Sequence, residues 1–143
     1  MAVILGGRAA EKLVFHHLST GAADDLVRVT DIARGMVTRF GMDEKLGPVA
    51  YVVDRSQFLQ PNPGAVSPER RYSEDTAREI DLAVRTIVER IFERTVAILQ
   101  SNRSVLERCA RELLEKETLD EPSLKALTRE LHRYDAPAQA AAE

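Results

Sequence analysis

Apolar residues recur every three or four positions along most of this chain, and the most regular run lies within residues 18–40. There Leu26, Val29, Ile32, Ala33, Met36, Val37 and Phe40 share one face of a helix expected over residues 25–40. Thr20 or Asp24 stands where a side chain caps such a helix, and Gly41 where a left-handed residue ends one. Turning about 100° per residue puts Asp25 roughly in line with Val29, Ile32 and Met36. Asp24 turns to the polar side with Arg28 and Asp31. A carboxylate on an apolar stripe needs a hydrogen bond, a countercharge or a metal, because an unpartnered buried charge costs several kcal/mol, on the order of. Two readings of Asp25 stand: a first-turn acid favoured by free N–H groups and the helix dipole, or a ligand.

The same spacing predicts four further helices. Ala9, Ala10, Leu13, Val14 and Phe15 form one behind Gly6 and Gly7, and His16 and His17 end it. Ser73 caps the longest, residues 74–100, on which Ala77, Ile80, Val84, Ile87, Val88, Ile91, Thr95 and Ile98 keep the period. At 1.5 Å per residue it runs about 40 Å, enough for a central helix. Its arginines and glutamates at i,i+4 spacing describe a solvated face. Ser101 and Asn102 interrupt the period, a helix over residues 103–117 follows with Leu106, Cys109, Ala110, Leu113 and Leu114, and Asp120 with Pro122 opens a last one through Leu124, Leu127 and Leu131. Residues 49–53 and 57–59 favour a small β-hairpin, residues 60–68 with Pro61, Pro63 and Pro68 a surface loop, and residues 134–143 a disordered tail.

Composition narrows the chemistry. A chain of 143 residues with 30% charged side chains and a net charge of −3 suits one helix-rich domain. Its basic residues are interleaved with acids, which argues against a nucleic-acid partner. No run reaches the ~20 apolar residues that span a bilayer, and residues 1–5 are too short for a signal peptide. The single cysteine, Cys109, excludes an internal disulfide and a multi-cysteine zinc site. On its apolar face it is expected to be a buried, inert thiol, in keeping with a reducing cytoplasm. His16 and His17 point about 100° apart on a helix, so they cannot grip one ion as histidines at i and i+4 do. They and the distant His132 read as solvated residues.

Six stretches in order resemble one family: LGGRAAEKLVF at residues 5–15, STGAADDL at 19–26, IARGMVTRFGM at 32–42, EKLGPV at 44–49, YSEDTAREID at 72–81 and LLEKETL at 113–119. Together they resemble the peptidase domain of FtsH, the membrane-anchored, ATP-dependent zinc proteases. The resemblance implies a mainly α, helical peptidase-type domain over residues 1–133 with a long central helix. It also implies that zinc is held by two histidines of an H-E-x-x-H helix and an Asp that falls on Asp25, with the motif's Glu as general base to a zinc-bound water. Asp24 stands where the family commonly has Asn, and His16 where it usually has Gly. No H-E-x-x-H occurs here; in the family that helix, the ATPase module and the membrane anchor all precede the segment matching residues 5–15.

The resemblance therefore makes this chain the C-terminal part of a protein-degrading zinc metalloendopeptidase. Asp25 is its one zinc ligand and it contributes no catalytic residue. Alone it is expected to be inactive and to hold no zinc tightly. Protein substrates, a hexameric homo-oligomer and a place on the cytoplasmic side of the inner membrane are implied for the complete enzyme. The alternative is a helical oligomerisation or interaction module that has lost the chemistry. A missing upstream helix should also leave Val3, Leu5 and Val14 without their packing partner.

Overall fold

The computed structural model describes residues 1–52 and 72–132. It contains α1 (Gly6–Phe15), α2 (Ala23–Thr38), α3 (Glu74–Ser101), α4 (Arg103–Lys116) and α5 (Glu121–Leu127), with no strand among the described residues. The mainly α expectation holds. The hairpin's turn and second arm, the proline-rich loop and the tail over residues 134–143 lie outside the described residues. Residues 49–52, the hairpin's first arm, are not strand: the amides of Tyr51 and Val52 both donate to the Thr38 carbonyl, at 2.8 and 3.2 Å.

The chain divides into two compact units, Met1 with Gly21–Ile91, and Ala2–Thr20 with Phe92–Glu143. Helix α3 contributes its first part to one and its last turns to the other. In the first unit, Ala33 and Val37 of α2 close on Ile80 and Val84 of α3 and on Leu46 from the connecting loop. Tyr51, Tyr72, Ile87 and Val88 pack around this core. The loop is built to deliver Leu46. Asp43 Oδ1 accepts from the Lys45 and Leu46 amides at 3.1 Å each, Gly47 takes φ +71°, and the Tyr51 hydroxyl donates to the Leu46 carbonyl at 3.0 Å. Such a side-chain-to-backbone turn is what Asp favours. The Ser73 cap is present, its Oγ accepting from the Thr76 amide at 3.2 Å.

Helix α2 differs from the expectation at both ends. It starts at Ala23, with Ala22 at the N-cap and no side-chain cap from Thr20 or Asp24. It stops at Thr38, and Phe40 beyond it is 65% exposed. Its buried row is Val29, Ala33 and Val37, strictly four apart. That narrow stripe leaves Met36 half-buried and Ile32, 42% exposed, at its margin. Gly41 does take a positive φ, +59°, as a chain reversal there requires.

In the second unit Leu5, Ala9 and Leu13 of the α1 region are buried, as are Thr95, Asn102 and Val105. The Lys12 ammonium lies over the Phe92 ring, 5.1 Å from its centroid. Of the three residues expected to lack partners, Val3 is 94% exposed and Val14 is exposed, whereas Leu5 is 1% exposed and so covered within this chain. Cys109 is half-buried and not buried, because Ala110 and Leu113 beside it face outward. Helix α4 ends at Lys116 on a left-handed Glu117, φ 60°. Asp120 caps α5, accepting from the Ser123 amide at 3.0 Å. That helix stops at Leu127, short of Leu131, where the Thr128 hydroxyl turns back onto the Leu124 carbonyl at 2.7 Å.

Candidate metal-ligand site on α2

Residues 19–22 form the turn that leads into α2, and because Ala22 cannot cap it, the first-turn N–H groups face the acids Asp24 and Asp25. Asp24 is exposed. Asp25 is half-buried, one turn before the fully buried Val29 and on the same flank of the stripe as Met36. Among the described residues the Asp25 carboxylate makes no hydrogen bond and no ion pair. The angular reading thus put Asp25 on the correct side but too deep: it sits at the edge of the apolar face.

Among the described residues no three His, Cys, Asp or Glu side chains come together to hold a metal. His16 caps α1 in the left-handed conformation, φ 58°, His17 stacks on Phe15 with centroids 5.9 Å apart, and His16, His17 and His132 are exposed, as solvated helix-end residues should be. Zinc needs three or four protein donors at a catalytic or structural site. Asp25 offers one, so the described residues do not by themselves fit a zinc ion. A shallow open depression along α3, lined by Glu74, Ala77, Arg78, Asp81, Leu82 and Arg85, holds charges of both signs. Asp81 there is already paired with Arg34 at 3.1 Å, and these lining residues include no Ser, Thr, Cys or Lys to act as a nucleophile.

One polar contact ahead of α2 escaped the sequence. Glu11 on α1 receives the Ser19 amide on Oε2 at 3.1 Å and the Ser19 hydroxyl on Oε1. Eight residues separate the two across a helix end, a spacing that carries no periodic signal. The Ser19 hydroxyl and then its amide hold Glu11 below the ordinary glutamate value of 4.5, with the Arg8 and His17 charges helping and desolvation opposing. A carboxyl with a lowered folded-state pKa stabilises the fold above its unfolded value and loses that contribution as pH falls through the folded one. The Ser19 amide resonance, followed by NMR, is therefore expected to titrate with a midpoint below 4.5 in the wild type and to lose that step in Glu11→Gln.

Comparison with known proteins decides the family. The description Peptidase family M41 matches residues 1–127. The chain belongs to peptidase family M41. An M41 relative from Paraburkholderia phymatum, named ATP-dependent zinc metalloprotease FtsH, is 50% identical over 131 residues, which are 92% of this chain and 20% of the relative. FtsH 2 of Bdellovibrio bacteriovorus is likewise 50% identical over 131 residues, and FtsH of Thermus thermophilus 47% over 119 residues. The chain spans about one-fifth of the length of these curated relatives. This M41 segment is thus a fragment-length match to the FtsH peptidase domain, as its six motif stretches imply. No helix among the described residues is long and apolar enough to cross a membrane.

Proposed function

We propose that this M41 segment serves an ATP-dependent zinc metalloprotease that hydrolyses peptide bonds in proteins, and that Asp25 is its contribution to the zinc site. The observation that carries the reading is a half-buried carboxylate, without a hydrogen-bond or ion-pair partner among the described residues, placed by the first turn of α2 beside the apolar stripe. The remaining donors and the general base come from an H-E-x-x-H helix, which the sequence does not contain. The segment alone is inactive and holds zinc weakly, since one carboxylate is a third of a catalytic ligand set. Protein substrates reach it through the complete enzyme, a homo-oligomer on the cytoplasmic side of the inner membrane.

A second reading, a non-catalytic assembly module, draws on Leu113 and Leu114 of α4, both exposed. One experiment separates the two. Zinc content and casein cleavage are measured for the 143-residue chain and for a longer chain in which an H-E-x-x-H helix precedes it. The expected result is about one zinc per chain and metal-dependent cleavage in the longer protein only. Equal, substoichiometric zinc in both proteins, without cleavage, would favour the assembly module.

A further inference from the structure

We propose that α5 and the turn after it, residues 121–132, form a strap that lifts from α4 as a unit, with Asn102 as its latch. Asn102, at the junction of α3 and α4, is 5% exposed, and every polar atom of its side chain is spent on backbone. Its amide nitrogen donates to the Ile98 carbonyl at 2.9 Å and to the His132 carbonyl at 3.1 Å, and its Oδ1 accepts from the His132 amide at 2.8 Å. A side chain here pairs with a distant backbone segment the way one strand pairs with another. Arg108 supplies a second fastening farther along α4, donating to the Leu127 carbonyl at 2.9 Å and to Glu130 at 3.1 Å.

What marks this as a strap is what it lacks. Helix α5 has no buried residue, and Leu124 and Leu131 are each about half exposed. Elements that bury few apolar groups open locally at far lower cost than the whole fold. Polar fastenings therefore carry most of the hold on this segment. Its internal bonds are its own: the Asp120 cap on Ser123, the Thr128 amide on the Leu124 carbonyl at 3.0 Å, and the Leu131 amide on the Thr128 carbonyl at 3.2 Å. A helix of this length is marginal in water without a support, so these internal bonds fray and their amides exchange once the strap lifts.

Amide hydrogen exchange on the full 143-residue chain tests this. Asn102→Ala is expected to speed exchange of the His132, Leu131 and Thr128 amides about 10- to 100-fold, the consequence of losing two hydrogen bonds to the strap. The amides of α3 from Ile80 to Ile91 should keep their wild-type rates. Because Asn102 is buried and its loss could prevent folding, Arg108→Met, a change at an exposed side chain, provides the second reading, with an expected increase of about 3- to 10-fold at Thr128 and Leu131. Acceleration of the strap alone, in either variant, supports the latch. Acceleration spread equally over α3, α4 and the strap, or strap rates unchanged in both variants, overturns it.

Discussion

Replacing Asp25 with asparagine is expected to lower zinc affinity by at least about 100-fold in an M41 protein that carries an H-E-x-x-H helix ahead of these residues, the upper end of what losing even an outer-shell partner costs. Peptidase activity should fall with the metal. The fold should survive. Asn keeps the size of the side chain, Asp25 is bonded to nothing else among the described residues, and the loss of a first-turn charge costs about 0.3–1 kcal/mol through the helix dipole. Asp24→Asn is the matched control, since Asp24 sits in the same turn but faces solvent. It should cost the same small amount of stability and leave zinc untouched. If both variants retained full zinc and differed only by a few tenths of a kcal/mol in denaturation, Asp25 would be a dipole partner and nothing more.

The second large effect is on stability. Gly41→Ala is expected to destabilise the chain by about 2–4 kcal/mol, from the strain of an L-residue in the left-handed region and from forced displacement of packed atoms, less a small gain in the unfolded state. The displaced atoms are backbone. A Cβ at Gly41 would stand 2.8 Å from Pro48 Cα and 3.1 Å from Pro48 C and Val49 N. No rotamer change relieves that, and the loop it would push is the one that seats Leu46 in the core. Two other glycines calibrate the result. Gly47 has φ +71° with nothing within 4 Å, so alanine there should cost only the backbone strain, about 1 kcal/mol. Gly35 lies inside α2 with room beside it, so alanine should stabilise by about 0.5–1 kcal/mol. Urea midpoints for the three variants at a common slope provide the measurement. Equal losses at Gly41 and Gly47 would show that the approach of Pro48 costs nothing.

Most helices were legible because their cause is local. Ser73, Asp120 and Pro122 mark starts through hydrogen bonds made within a single turn, and the periodic apolar rows of α2 and α3 survive in the core as Val29, Ala33, Val37, Ile80 and Val84. Errors came where burial depends on what packs opposite. Ile32 and Phe40 have helical spacing but no neighbour among the described residues covers them, and Cys109 shares a face with a leucine that points to solvent. The angular reading of Asp25 was right in side and wrong in depth, since 100° steps give direction but not how wide the buried stripe will be. The grip of Glu11 on Ser19 and that of Asn102 on His132 were invisible, because each joins residues with no periodic relation.

The way the second unit is assembled from the two ends of the described chain has a consequence during synthesis. Ala2–Thr20 leaves the ribosome ahead of the residues that complete its unit, which begin at Phe92. At about 5–20 residues per second, roughly seventy intervening residues take on the order of 4–14 s to be made. For that interval Leu5, Ala9 and Leu13 lack the cover that the later residues of their unit provide, a window in which a chaperone has time to bind the nascent chain.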